Sequence, residues 1–368
     1  MGNAGTIGPG AISRVEGLTF SLAASICRKM MASIPPVPYT PDDDATAVGP
    51  DESQPPFVLT APSGDAPPSA VIYATPHSGR IYPARLRAAS RLDLPGLRRS
   101  EDAHVDRLIA DAPGLGVPVL AARYARAWLD VNRDPWELDP AMFDGPLPTF
   151  VKARTPRVAA GLGAVAKIVA EGQDIYRRKL TFSEATQRIE AIHRPYHEAL
   201  MALIRDRLRA RGACVALDWH SMPAAAAGPA RGAPDIVLGD LFGVAASPRV
   251  TRRVETEFTA LGYRVARNSP FAGAYTTERH GCPAEGVHVV QVEINRAIYL
   301  DEATLEPNGG FSTLKSDLAA LTARLAAWDV TDLIPATAAQ APSPHLTPCA
   351  PSDRPDDAHI SGRRSRAA

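Results

Sequence analysis

Two similar stretches decide the fold: A-V-I-Y-A-T-P-H-S-G at residues 70–79 and A-C-V-A-L-D-W-H-S-M at residues 213–222. Each begins with a short apolar run of the kind that forms a buried strand of a parallel or mixed sheet. Each then places a histidine, His77 or His220, just after that run. Because ligands of open α/β sheets bind outside the carboxyl ends of the strands, the two histidines predict a metal site at that edge.

Strand and helix patterns alternate between and after these two stretches, as they do in α/β folds. Further strands are predicted at 117–121, 127–131, 236–238, 263–266 and 287–294, and helices at 101–112, 183–211, 248–261 and 312–328. Ser183 is the expected N-cap of the longest helix, and Gly212 is its expected stop. We therefore predict one α/β domain over residues 67–334.

The two ends of the chain differ from this central region in composition. Much of the chain's proline, 35 residues in total, lies in residues 1–66 and 335–368. Segments of this kind bury too little apolar surface to offset their ordering entropy. We predict a disordered N-terminal extension over 1–66 and a disordered tail over 335–368.

Charge and cysteine content exclude several classes of protein. The 40 basic and 40 acidic residues balance, which argues against a dedicated nucleic-acid or membrane-surface protein. The four cysteines form no C-x-x-C pair, so we expect free thiols and a cytoplasmic location. No apolar run approaches the roughly 20 residues of a membrane span. The expected partner is a small molecule.

A catalytic zinc site commonly has three protein ligands and one open position. His77 and His220 would supply two of the ligands, and an acid should supply the third. Three acids lie together in S-E-D-A-H-V-D at 100–106: Glu101, Asp102 and Asp106. Asp102 is our first choice. The alternative is that these acids only complement the dipole of a helix that starts here.

Glu293 lies within the otherwise apolar strand predicted at 287–294. A carboxylate at such a position is costly to bury unless it is paired or used. Beside a metal-activated water it is a suitable general base. The alternative is a structural ion pair with Arg296.

The stretch R-A-W-L-D-V-N-R at 126–133 is the remaining polar cluster. As a strand, it would place Arg126 and Asp130 on one face, with Asn132 and Arg133 at the end of the strand. Arg126 could hold an oxyanion, and the Asn132–Arg133 pair could bind a substrate carboxylate.

His193 and His197 lie one helical turn apart, like the ligands of an H-E-x-x-H motif, but Arg194 stands in place of the glutamate and Pro195 interrupts the turn. We reject a metal pair there and expect His197 either to pack or to reach the pocket. Tyr275 is predicted to lie on a substrate-side loop.

Several of these motifs occur together, and in the same order, in a known family. P-H-S-G, H-V-D, R-x-x-x-D-x-N-R, P-Y-H, D-x-H-S, P-F-x-G-x-Y, G-V-H and Q-x-E run from about Val71 to Trp328. In the identity and order of these motifs, the chain resembles the N-formylglutamate amidohydrolase family. The resemblance implies the phosphorylase/hydrolase-like α/β fold, a three-layer sandwich with helices on both faces of a mixed sheet.

The resemblance also implies the chemistry of zinc carboxypeptidases and aspartoacylase. By motif, it assigns one Zn²⁺ per chain to His77, Asp102 and His220, the base to Glu293 and the oxyanion contact to Arg126. The expected reaction is hydrolysis of N-formyl-L-glutamate, or of another N-acyl amino acid. The alternatives are a zinc carboxypeptidase or amidase acting on small or cell-wall peptides, and a non-catalytic protein that binds a carboxylate ligand. The H-x-x-E pair of carboxypeptidases is absent, since Arg80 occupies the place of the acid.

Overall fold

A mixed seven-stranded sheet forms the centre of the computed structural model, which describes residues 54–63, 68–169, 172–229 and 231–335. Its strands are β1 (Phe57–Thr60), β2 (Val71–Thr75), β3 (Val119–Ala122), β4 (Cys214–Met222), β5 (Ile236–Gly239), β6 (Val265–Arg267) and β7 (Val287–Asn295). Their spatial order is β1-β3-β2-β4-β7-β5-β6. Two short strands, β8 (Leu300–Asp301) and β9 (Glu306–Pro307), pair separately.

The four central strands share one direction. Strands β3, β2, β4 and β7 are mutually parallel, whereas β1 is antiparallel to β3 and β5 is antiparallel to β7. The carboxyl ends of the four parallel strands therefore meet at one edge. This is the edge at which the sequence predicts the site.

Side-chain alternation divides the interior into two cores. On β2, Ile72 and Ala74 belong to one core, and Val71 and Tyr73 belong to the other. On β4, Ala216 faces the first core and Leu217 the second. Because successive side chains of a strand point to opposite faces, the apolar side chains on each face of the sheet need a separate layer to pack against. The result is the predicted α/β sandwich.

Helices supply that cover. They are α1 (Ala84–Ala89), α2 (Leu94–Arg98), α3 (Val105–Leu108), α4 (Pro156–Ala159), α5 (Phe182–Arg188), α6 (Arg194–Arg211), α7 (Pro248–Ala260), α8 (Tyr275–His280) and α9 (Phe311–Ala326). Helix α6 packs on the first core, while α7 and α9 pack on the second. Among the described residues, no helix combines the length and apolarity needed to span a bilayer.

The strand predicted at 127–131 is wrong. The chain turns there instead, and the amides of Trp128 and Leu129 both donate to the carbonyl of Ala125. The turn is stabilised by Arg188, which lies 3.4 Å over the Trp128 ring and donates to the Trp128 carbonyl. The alternating apolar pattern reflects burial of this turn, not membership of the sheet.

Two predicted helices also differ from the structure. The helix at 101–112 is reduced to α3, so Asp102 precedes the helix rather than starting it. The long helix begins earlier than predicted, because Thr181 forms the N-cap with a capping box to Glu184. A π-helical segment, Ile189–His193, then separates α5 from α6.

Strand β1 lies within 1–66, the segment predicted to be disordered. It pairs with β3 over four residues, from Phe57 opposite Ala122 to Thr60 opposite Val119. The sheet therefore starts before residue 67. Residues 1–53 and 64–66 of the predicted extension, and the tail beyond Pro335, lie outside the described residues.

Candidate active site

Strand alternation brings two predicted site residues to one face of the sheet. Asp218 and His220 follow Ala216 at two-residue steps on β4, and Glu293 follows Val289 in the same way on β7. Ala216 and Val289 both belong to the core that α6 covers. His220 and Glu293 are direct register partners across the two parallel strands. The histidine and the buried acid are therefore neighbours.

His77 lies in the tight loop that follows β2. The Ser78 hydroxyl donates to the Asp102 carbonyl and bonds the Thr75 hydroxyl, which ties this loop to the segment before α3. The Asp102 amide in turn donates to the His77 carbonyl. The two segments thus fix each other, and His77 and Asp102 are positioned as a unit.

Gly79 allows this loop to lie against the chain after β3. A Cβ at Gly79 would come within 2.4 Å of the Tyr124 carbonyl oxygen, so Gly79→Ala must displace backbone. We expect a loss of about 1–3 kcal/mol in the free energy of unfolding, which is typical of overpacking. Gly114→Ala is the matched control, because no atom lies within 4 Å of its Cβ position. Urea unfolding of both variants checks this, and equal stability of the two would contradict it.

Three side chains converge at the carboxyl edge of the sheet. His77 Nδ1 and His220 Nδ1 lie 3.0 Å apart, and Asp102 Oδ2 lies 3.3 Å from the first and 3.0 Å from the second. All three residues are buried. The arrangement unites the two histidines with one of the three candidate acids.

Each histidine has a carboxylate behind it. His77 Nε2 donates to Asp130 Oδ1 at 2.7 Å, and Asp218 Oδ2 lies 3.0 Å from His220 Nε2. Carboxylates of this kind hold a proton on Nε2, so that Nδ1 is the atom that can bind a metal, as is common behind metal-ligating histidines. Both Nδ1 atoms face Asp102, to which they can donate when protonated, and a bound metal ion would take the place of those protons.

The donor set fits a zinc ion. Tetrahedral ligands about 2.0–2.1 Å from zinc lie roughly 3.3 Å apart, which matches the separations of the two nitrogens and the oxygen. Burial disfavours charge on His220, yet Asp218 and Asp102 outweigh it and hold the pKa of His220 well above its ordinary value. The surroundings therefore favour a positive charge at this point, and a metal cation can supply it.

The other two candidate acids are directed elsewhere. Glu101 accepts hydrogen bonds from Tyr82 and Arg98. Asp106 forms a two-oxygen contact with Arg80, the residue that stands in place of the carboxypeptidase acid. Of the three alternatives left open by the sequence, only Asp102 lies within reach of both histidines.

Arg296 holds the second oxygen of Asp102. Its Nη2 donates to Asp102 Oδ1 at 3.0 Å and to the Glu101 carbonyl at 2.6 Å. The sequence offers Arg296 as a partner for Glu293, but its hydrogen bonds go to this segment and to Ser221 at the end of β4. Although burial opposes it, hydrogen bonds from His220 and His77 hold the pKa of Asp102 well below its usual range.

Glu293 is a buried acid on the wall of the same cavity. Its Oε1 accepts a hydrogen bond from Gln291 Nε2 at 2.7 Å. Burial, with a further contribution from the charge of Asp102, raises the pKa of Glu293 to about 7. A carboxyl group with this property can accept and return a proton near neutral pH.

A cavity of about 460 Å³ opens over these groups. His77, Asp102, His220 and Glu293 line it together with five arginines: Arg99, Arg126, Arg133, Arg157 and Arg296. Arg126 donates from Nη2 to Asp130 Oδ2, and Arg133 donates to the Leu162 carbonyl. The excess of guanidinium groups makes the cavity suited to an anionic ligand.

Asn132 lines the cavity, but its amide is already engaged. Its Nδ2 contacts both Asp218 Oδ2 and His220 Nε2, while its Oδ1 accepts from the Thr276 amide. Asn132 thus supports the histidine site, whereas Arg133 lines the cavity with its Nε and Nη1 bonded to the Leu162 and Asn132 carbonyls, and the predicted clamp stays a prediction.

His197 and Tyr275, both predicted to contact substrate, lie outside the cavity lining. The His197 imidazole is directed into the protein, toward the Val131 carbonyl and His280. The Tyr275 ring packs against His193 and His197. The rings of this pair form a cluster behind the cavity wall, which fits the packing alternative for His197, and a direct substrate contact of either residue stays a prediction.

Sequence reasoning missed the roles of Asp130 and Asp218. Asp218 stands two residues before His220 on β4, so strand periodicity alone would have placed both on one face. Asp130 carries no comparable signal, because it lies on a turn whose apolar and polar alternation is typical of a strand.

Comparisons with known proteins agree with this geometry. Residues 69–300 match the family model described as N-formylglutamate amidohydrolase. An N-formylglutamate deformylase of Pseudomonas putida is 31% identical over 257 residues, which are 68% of this chain and 86% of that protein. The crystal structure of N-formylglutamate amidohydrolase from Ralstonia eutropha JMP134 superposes with a TM-score of 0.70 at 37% identity, covering 75% of this chain and 99% of that one.

A second solved structure, gene product Atu2144 of Agrobacterium tumefaciens, has a TM-score of 0.53 at 17% identity and shares the fold. The family match spans strands β2 to β7 and includes every side chain of the convergent group. The fold, the sequence relatives and the matched region lead to one assignment. The chain belongs to the N-formylglutamate amidohydrolase family.

Proposed function

We propose that the protein is a zinc-dependent amidohydrolase that converts N-formyl-L-glutamate to L-glutamate and formate. The observation that carries the proposal is the group of His77, Asp102 and His220 beside Glu293 in one arginine-lined cavity. Relatives that share the fold and about a third of the sequence are named for this substrate.

His77, Asp102 and His220 would hold the zinc ion, with Asp130 and Asp218 fixing the two imidazoles from behind. Bound zinc supplies Lewis acidity and lowers the pKa of water from 15.7 to about 7. Asp102 would bring one negative charge to the ion through Oδ2, while Arg296 holds its other oxygen, Oδ1.

Glu293 is the proposed general base and acid. Its carboxylate accepts the proton of the attacking water and then returns it to the amide nitrogen as the C–N bond breaks. The pKa of about 7 suits both steps, because the group gains and loses a proton with little driving force either way. Gln291 holds one oxygen of Glu293, which directs the other toward the cavity.

Arginines would bind the charged parts of the substrate. Arg126 lines the cavity beside Asp130, where its guanidinium can stabilise an oxyanion on the formyl carbon. Arg133 is the proposed contact for a substrate carboxylate. A substrate with two carboxylates matches a cavity with several guanidinium groups.

A substrate panel tests the assignment. Zinc-loaded protein is assayed for amine release with N-formyl-L-glutamate, N-formyl-L-glutamine, N-acetyl-L-glutamate and short peptides that end in glutamate. We expect the first compound to have the highest kcat/KM. Preference for the peptides would favour a carboxypeptidase or amidase instead. Melting shifts with these ligands but no turnover would favour a carboxylate-binding protein.

A further inference from the structure

The loop at residues 130–133 carries much of the site, yet it lies outside the sheet. Asp130 holds His77, Asn132 donates to Asp218, which holds His220, and Arg133 lines the cavity. Because no neighbouring strand pairs with the loop, its backbone carbonyls need partners from elsewhere. The groups that donate hydrogen bonds to these carbonyls therefore control the position of all three side chains.

Two histidines of the neighbouring helical segment meet this need. His197 Nε2 donates to the Val131 carbonyl at 2.7 Å, and His193 Nε2 donates to the Arg133 carbonyl at 2.9 Å. The two carbonyls flank Asn132 on either side. The imidazoles are packed together, with ring centroids 4.5 Å apart. Together the two imidazoles hydrogen-bond the backbone on both sides of Asn132.

The helix is locally altered at this point. His193 is the last residue of the π-helical segment, and His197 lies in the first turn of α6. Single π turns inside α-helices recur at functional sites. Here the segment ends where the two imidazoles reach the loop.

His280 fixes the donor direction of His197. Its Nε2 lies 2.9 Å from His197 Nδ1, and the two rings stack with centroids 5.1 Å apart. Burial lowers the pKa of His197 well below its usual value and that of His280 to about 3, so both rings are neutral. A neutral His197 that donates to Val131 from Nε2 must accept from His280 at Nδ1.

We propose that His193 and His197 are positioning residues that hold the 130–133 loop, and through Asp130 and Asn132 orient His77 and His220. This rests on the proposed zinc site. Neither imidazole touches a substrate in this account. The sequence motif that mimics a zinc-binding histidine pair would thus serve a zinc site indirectly.

Two variants of His197 separate this role from simple packing. His197→Leu fills similar space but cannot donate, whereas His197→Gln keeps an N–H near the position of Nε2. Zinc affinity is measured by competition with a chromophoric chelator. We expect His197→Leu to weaken zinc binding by about 10- to 100-fold, as loss of outer-shell partners does, and His197→Gln to restore most of it.

His288→Leu is the matched control. His288 is a buried imidazole that accepts from the Ser247 amide at the opposite end of β7, away from the cavity. We expect it to change thermal stability without changing zinc affinity. Imidazole ¹⁵N–¹H spectra of the zinc-free proteins give a second readout, in which the signals of His77 and His220 should shift in His197→Leu only.

A folded His197→Leu variant with unaltered zinc affinity and unaltered His77 and His220 signals would overturn the proposal. If His197→Leu fails to fold, His193→Leu and His193→Gln apply the same comparison to the Arg133 carbonyl. The chelator competition requires no turnover. Absence of formate release by the unaltered protein would therefore count against the proposed function and not against this one.

Discussion

Glu293→Gln will lose most of its turnover and keep its zinc. The substitution preserves the shape of the side chain, and the glutamine oxygen can still accept the hydrogen bond from Gln291. It removes the only function assigned to Glu293, which is to accept and return a proton. General acid–base catalysis contributes about 10²- to 10⁴-fold, so kcat should fall by that factor.

Formate release and metal content are measured on the same preparation. Glu306→Gln is the matched control, because Glu306 is exposed on β9 and away from the cavity, and it should turn over normally. Turnover by Glu293→Gln close to that of the control, with zinc bound, would exclude Glu293 as the base.

Asp102→Asn will lose zinc, whereas Asp106→Asn will not. Both substitutions replace a carboxylate by an amide of the same size within one short segment. Asp102 Oδ2 lies within 3.3 Å of both histidine nitrogens, while both Asp106 oxygens are directed to Arg80. Loss of an outer-shell partner alone costs about 10- to 100-fold in metal affinity, so loss of the charged ligand should cost more than about 100-fold.

Chelator competition measures the zinc affinity of both variants. The Arg80–Asp106 pair is partly exposed, so Asp106→Asn should cost less than about 1 kcal/mol in the free energy of unfolding. Equal zinc affinity of the two variants would contradict the assignment of Asp102. Weak binding by Asp106→Asn alone would transfer the role of third ligand to Asp106.

The sequence predicted the central part of the fold because strand patterning and site chemistry agree there. His77 follows β2 as expected, and Glu293 lies on β7 as a buried acid in an apolar run. Strand β4, however, continues through His220 to Met222, beyond the apolar run. It pairs with β7 as far as Met222, and the polar Asp218 and His220 face the site while Trp219, between them, is buried in the second core.

The 126–133 stretch shows why the remainder could not be predicted. Its alternation of apolar and polar residues is typical of a strand, but the burial of Trp128 under Arg188 depends on a helix some 60 residues later. Asn132 likewise depends on Asp218 and Thr276, which are distant in sequence. Contacts of this kind are tertiary, so the local hydrophobic periodicity of the sequence does not reveal them.

Formate release from N-formyl-L-glutamate, measured as a function of bound zinc, shows whether the hydrolysis depends on the metal. The protein is dialysed against a chelator, its metal content is measured, and zinc is then returned in steps. We predict that the zinc-free protein is inactive and that activity rises linearly to a plateau at one zinc per chain. Full formate release by protein shown to be free of metal would contradict the account.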